Sequence, residues 1–189
     1  MTATLKALVY VSRLSKAEKD DLYKVDSGFP EQKVGEALRE AIQDVLVDRL
    51  ILAHGCLETA KRLASPTADE EDLRAAVNRA YYSVHHAIRV LILREIGFEA
   101  DGHELAIQEL KRLLRDEDFR RRSGLDEDVV NDISEARDNR SVADYSPYIQ
   151  SRRDKKADPI PITDDNWRKA SEFNIRLAER IHDAVYRSI

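Results

Sequence analysis

The chain has 189 residues, of which 35% are charged, with 31 basic side chains against 36 acidic ones and a formal net charge of −5. That length fits one domain with room for an appended segment, and the acidic balance excludes a general polycation. Six Gly, five Pro and no long alternation of apolar and polar residues argue against a sheet and for an all-α chain.

Residues 1–30 carry the weakest pattern. Ala7 to Val11 fits a short strand or a helical turn, and Ser15-Lys16-Ala17-Glu18 has the form of a capping box for a short helix. Ser27-Gly28-Phe29-Pro30 breaks it. From Glu31 to about Ala64 the apolar residues Val34, Leu38, Ala41, Val45, Leu52, Cys56, Ala60 and Leu63 recur at helical spacing. Such a helix spans roughly 50 Å, and Gly55 is the point where a bend or break is expected. Residues 1–45 are expected to form an N-terminal arm with the start of this long helix, and residues 46–189 the main body.

Ser65-Pro66 ends the first helix, and Thr67-Ala68-Asp69-Glu70 opens a central one that runs to about Gly97. Leu105, Leu110, Leu113 and Leu114 give a third helix to about Arg115. The charged stretch Asp116 to Gly124 reads as a loop. Leu125, Val129, Ile133 and Ala136 mark a fourth helix, stopped by Tyr145-Ser146-Pro147. Three Pro and the run Ser151 to Lys156 predict a mobile loop over 147–162. Thr163 or Asp164 caps a last helix to about Tyr186, with Trp167, Ala170, Asn174, Leu177, Ile181 and Val185 facing inward. The expected architecture is an up-and-down bundle of four or five helices.

Cys56 stands alone, which excludes an internal disulfide and suits a buried thiol. No apolar run reaches 18 residues, so no membrane span is expected, and the chain is expected to be cytoplasmic. No Gly-rich phosphate loop, His-Glu-x-x-His or Cys-x-x-Cys motif is present. His85 and His86 are neighbours, pointing about 100° apart on a helix, which makes a poor pair of metal ligands. Neither a metal nor a cofactor is expected.

The central helix is the informative element. Val77, Ala80, Val84, Ala87, Ile88 and Leu91 form a core-facing stripe. A second face carries Asn78, Tyr82, His85 and Arg89, flanked by Arg79 and His86, where solvent Lys and Glu are the usual occupants. Two readings fit these residues: hydrogen-bonded aromatics at the edge of a core, or a site. Of the 31 basic residues 21 are Arg, clustered at Arg120-Arg121-Arg122, at Arg137 and Arg140, and at Arg152-Arg153 with Lys155-Lys156. Such clusters are either solvated surface or a phosphodiester-binding face.

The run Ala76-Val77-Asn78-Arg79-Ala80-Tyr81-Tyr82-Ser83-Val84-His85-His86-Ala87 resembles the second helix of bacterial and archaeal HEPN-domain proteins, with their Asn-x-x-Tyr-Tyr-x-x-x-His motif. Gly97 and His103 follow where such proteins carry a Gly and a His. Arg140-Ser141-Val142-Ala143-Asp144-Tyr145 resembles the Arg-x-x-x-Asp-Tyr element closing their fourth helix. The likeness covers roughly residues 46 to 187.

The resemblance implies an up-and-down helical bundle that forms a homodimer. Members act as metal-independent endoribonucleases, as toxins paired with small nucleotidyltransferase antitoxins, or as non-catalytic modules that bind RNA or nucleotides. Catalytic members carry an Arg, four to six residues, then a His at the end of the fourth helix. Here Tyr145 stands five residues after Arg140, and no His follows Arg137 or Arg140 before His182. Arg49 to His54, Arg79 to His85 or His86, and Arg176 to His182 fit that spacing but lie inside other helices.

Cleavage through the RNA 2′-OH needs a base, an acid and positive charge on the phosphorane. The candidate catalytic residues are Arg140 for charge, His85 as acid or base, Tyr145 in place of the absent His, and Asp144 to orient Arg140 or Tyr145. Asn78, Tyr82, His86 and Arg137 are the candidate binding residues. Asn78, Tyr82 and His85 are expected to face Arg140, Asp144 and Tyr145 across the central and fourth helices. Two functions stay open: a ribonuclease or toxin, or a binding or scaffold module without turnover.

Overall fold

A computed structural model describes residues 31–97, 100, 102–145, 148–149, 160–161 and 163–188, with side-chain surroundings given from Gln43 onward. The expectations for residues 1–30, and the burial of Val34, Leu38 and Ala41, lie outside that range. The described chain holds helices α1 (Glu31–Leu63), α2 (Glu70–Ile96), α3 (His103–Leu113), α4 (Glu117–Ser123), α5 (Val129–Tyr145) and α6 (Asp164–Ser188). Tyr148–Ile149 and Ile160–Pro161 pair antiparallel as a two-residue ladder, Tyr148 opposite Pro161 and Ile149 opposite Ile160. The rest of the expected mobile loop lies outside the described residues.

The all-α bundle is built on α2, which packs against α1, α3, α5 and α6. Its start is set by Asp69, whose carboxylate accepts from the Asp72 amide at 2.9 Å. Asp69 is therefore the cap of this helix. Its end is set by Gly97, which takes the left-handed conformation (φ 63°) that lets its amide reach the Leu93 carbonyl at 2.9 Å. Val77, Ala80, Val84, Ala87, Ile88 and Leu91 are all buried. Val84, Ala87, Ile88 and Leu91 meet Ala53 and Leu57 of α1, Leu110 of α3, Ile133 and Ala136 of α5, and Leu177, Ile181 and Val185 of α6 in one core. A smaller cluster of Leu73, Val77, Ala143 and Trp167 closes one end.

Three local expectations need correction. Helix α1 passes through Gly55 unbroken, because that Gly is exposed and the cost of about 1 kcal/mol is small beside the packing of the rest of the helix. Leu52 is 48% exposed, since the inward stripe of α1 runs through Leu46, Leu50, Ala53, Leu57 and Ala60, about 100° away. The stretch read as a loop after Asp116 is helix α4. Asp116 caps it by accepting from the amides of Asp118 (2.8 Å) and Phe119 (3.1 Å), and Phe119 anchors it in the core at 1% exposure.

Helix α6 opens on a reciprocal cap. Thr163 donates its amide and hydroxyl to Asn166 Oδ1, and the Asn166 amide returns to Thr163 Oγ1. Trp167, Asn174, Leu177, Ile181 and Val185 are buried. Among the described residues no helix is long and apolar enough to cross a membrane.

Candidate functional site

The polar face of α2 lies under the C-terminal half of α5 and the start of α3. Arg140 donates from Nη2 to Tyr82 Oη at 3.1 Å, with its guanidinium carbon 5.5 Å from the centre of that ring. The same nitrogen lies 2.7 Å from Asp144 Oδ2, one turn further on. Asp144 in turn accepts from Asn78 Nδ2. Three contacts thus join these four residues in a polar square between two helices.

Arg74 reinforces it from the first turns of α2. Its Nε and Nη2 donate to the Ala143 carbonyl at 3.1 and 2.8 Å, and its guanidinium lies over Trp167. The last turn of a helix leaves carbonyls without partners, so a guanidinium fork there fixes the segment that carries Asp144. The backbone of Tyr145 closes α5, while its side chain lies outside the described residues.

His85 is 7% exposed and does not join the square. Its ring lies 4.1 Å, centre to centre, from His103 at the first position of α3. Tyr81, 2% exposed, stacks on His103 at 5.3 Å and shares a 2.9 Å hydrogen bond between Oη and His103 Nδ1. Tyr82 stands between His86 (6.4 Å) and His103 (6.1 Å). Beside His103, Glu104 accepts from Arg137 Nη1 at 2.6 Å, and this pair holds the start of α3 against α5.

Burial and positive neighbours keep these imidazoles uncharged. Burial pushes His85 down to about 3, aided by His103, Arg89, His86 and Arg49. His86 is pushed down to about 4 by burial, then by Arg49, Arg89 and His103. His103 is lowered by burial and by Arg140, Arg137 and Arg89. Burial raises the Tyr81 phenol to about 12, so it stays protonated. Guanidinium groups from α1, α2 and α5 thus converge on three neutral imidazoles. Neutral imidazole beside guanidinium offers a proton acceptor next to a seat for an anion.

Every sequence-derived candidate except Tyr145 can be placed. Arg140, Asp144, Asn78 and Tyr82 touch one another, while His85, His86 and Arg137 surround the adjoining ring of aromatics and imidazoles. Tyr81, His103, Glu104 and Arg49 complete the cluster and had no assigned role. Tyr81 and His103 were marked by the family resemblance and Arg49 by a spacing match, but spacing cannot show that α3 folds back onto α2. Arg79 points elsewhere, toward Cys56, where it opposes the rise in thiol pKa that burial causes.

The remaining spacing matches do not form a second centre. His182 is 4% exposed and bonds Ser83 Oγ at 2.9 Å, but Ser83 is fully buried, which seals that pair from any substrate. Among the described residues no set of three His, Cys, Asp or Glu is placed to hold a metal ion.

An all-helical bundle with an Arg- and imidazole-rich seam between its central helix and the helix that closes over it defines the class. The HEPN domain family model matches residues 49–188, and the chain belongs to that family. HEPN domains are associated with RNA-related nuclease and toxin functions and often dimerise. No curated protein and no solved structure matches the chain.

Proposed function

We propose that the protein acts on RNA at the seam formed by α2, α3 and α5, with the phosphodiester held by Arg140 and Arg137. The placement of Arg140 on Tyr82 and of Arg137 on Glu104, beside the adjoining rings of His85, His86 and His103, carries this reading. Arg presents a planar fork that matches two phosphate oxygens, and transesterification through the 2′-OH requires no more than proton transfer and charge stabilisation. His86 Nδ1 is buried without a hydrogen-bond partner among the described residues, which suits a group that acquires one with ligand. Tyr145, at the end of α5, completes the proposed set beside Asp144.

The test is incubation of the pure protein with mixed RNA in EDTA, beside Arg140→Ala. Cleavage that survives chelation and disappears in the variant supports a metal-independent endoribonuclease, of the kind that acts as a toxin under a nucleotidyltransferase antitoxin. Intact RNA and no binding in either protein overturns the reading.

A second reading rests on a specific observation: Arg140 already holds Asp144 and Tyr82, and Asp144 already holds Asn78. A network of this kind serves equally as a buttress in a non-catalytic module that binds RNA or nucleotide, or that docks a nucleotidyltransferase. RNA binding without turnover selects it.

We also propose a cytoplasmic homodimer. Light scattering at tens of micromolar that returned a mass near 21.6 kDa would count against the dimer.

A further inference from the structure

We propose that His103, at the first position of α3, is the general base of this site. This rests on the RNA-directed reading of the seam and goes beyond it by assigning a catalytic group on a different helix.

Three observations single out His103 among the imidazoles. First, its Nδ1 is tied to Tyr81 Oη at 2.9 Å, whereas among the described residues nothing hydrogen-bonds Nε2. In the tautomer that donates Nδ1–H to this phenol oxygen the Nε2 lone pair is left available, and a base at Nε2 requires that tautomer. Second, His103 is partly exposed, while His85 behind it is sealed at 7% exposure and is reached by no substrate without opening the core. Third, it is anchored toward the cations. The Arg137–Glu104 pair pins the adjacent residue to α5, and the Tyr82 ring lies 6.1 Å from His103 while its hydroxyl receives Arg140.

The groups facing His103 are Tyr81, Tyr82, His85 and Arg89 from α2, Arg137 and Arg140 from α5, and Glu104 on its own helix. The cations outnumber the one carboxylate, and His103 also opens α3, where the helix dipole is positive. Burial first and then these cations lower the pKa of the ring, which favours the neutral form a base requires.

The step balances without any metal. His103 Nε2 accepts the proton of the 2′-OH as O2′ bonds to phosphorus. The bond from phosphorus to O5′ breaks, and O5′ takes a proton from water. A 2′,3′-cyclic phosphate and a 5′-hydroxyl result, with Arg140 and Arg137 facing the non-bridging oxygens. His103 then returns its proton to solvent.

The experiment compares the full-length chain with His103→Gln and His103→Ala on a labelled, mixed-sequence single-stranded RNA in EDTA. Binding is followed by fluorescence anisotropy, cleavage by gel, and folding by thermal melting. Loss of a general base costs about 100-fold or more in rate. Both variants are expected to lose cleavage by that factor while keeping RNA affinity within about threefold. Free imidazole is expected to restore part of the cleavage by His103→Ala, which a purely structural role would not allow. The acid limb in the wild-type kcat/KM profile is expected to vanish in His103→Gln.

A folded variant that cleaves within about twofold of wild type overturns the assignment to His103 and leaves the RNA site standing. Wild-type protein that binds RNA without cleaving it overturns the assignment in favour of the non-catalytic module. Wild-type protein that neither binds nor cleaves overturns both.

Discussion

Arg140 and Asp144 pair one turn apart on α5, Nη2 to Oδ2 at 2.7 Å, and each is gripped by a different residue of α2: Tyr82 holds the guanidinium and Asn78 the carboxylate. Their side chains are 22% and 18% exposed, so the pair is sheltered but open on one side. Removing Arg140 has two separable effects. Hydrogen bonds to charged groups contribute about 1.5–3 kcal/mol, so Arg140→Ala is expected to weaken RNA binding roughly 10- to 100-fold. Asp144 keeps Asn78 and gains access to water, so the stability loss is expected to stay near 1–2 kcal/mol. Anisotropy titration and urea unfolding of the same preparation measure both. A loss above about 4 kcal/mol with unchanged RNA behaviour would mark Arg140 as a buttress.

Asn78→Asp tests the other corner. The substitution sets a second carboxylate against Asp144, and like charges in contact raise the pKa of one of them. A carboxyl whose folded-state pKa is raised is destabilising above that pKa and less so as pH falls through it. The variant is expected to lose about 1–3 kcal/mol at pH 7 and to recover part of that at pH 5, relative to wild type at each pH. Asn78→Ala should show no such recovery. Urea midpoints at the two pH values decide the matter.

The bundle was legible in the sequence because its helices are long and sharply punctuated. The stripe from Val77 to Leu91 repeats at helical spacing, and the Asp69 and Gly97 ends are local chemistry. Asp116 was equally able to cap a helix, but seven residues rich in charge leave too little apolar periodicity, and only the burial of Phe119 reveals α4. The polar square was half legible. Asn78 and Tyr82 share a face of α2, and Arg140 and Asp144 share a face of α5, so each half follows from helical spacing. His103 was marked by the family resemblance but was not assigned to the site. Its place beside Tyr81 and His85 depends on how α3 folds back, a long-range relation that no local pattern encodes.

Asn174 is wholly buried on α6 and braces three helices. Its Nδ2 donates to the Val77 carbonyl of α2 at 3.2 Å and to the Ala136 carbonyl of α5 at 3.4 Å, and its Oδ1 accepts from Asn139 at 3.3 Å. Asn174→Asp replaces the donor with an oxygen facing two carbonyls in a dry site. A loss of about 3 kcal/mol or more at pH 7 is expected. Asn174→Leu, which brings no charge, should lose less. Equal urea midpoints for the two variants would show that an oxygen facing the two carbonyls costs no more than the loss of the amide.

The buried imidazoles make stability depend on pH in a defined direction. His85 titrates at about 3 in the folded chain against an ordinary 6.5, chiefly because burial disfavours its charged form. Between those values the unfolded chain binds a proton that the folded chain refuses, so unfolding becomes easier as pH falls. The stabilisation from keeping His85 neutral is therefore complete above about 6.5 and is lost progressively toward about 3. From pH 7 to pH 5 this single group accounts for about 2 kcal/mol. Carboxylates also respond to acid, so the informative quantity is the difference between wild type and His85→Leu over the same interval. The variant loses hydrogen-bonding capacity and is less stable at pH 7, but its further loss on going to pH 5 is expected to be smaller than that of wild type by about that amount. Urea unfolding at pH 7, 6 and 5 gives the two slopes. Parallel slopes would mean that His85 takes up its proton in the folded chain as readily as in the unfolded one, and the tightly packed contact with His103 would then have to open in acid.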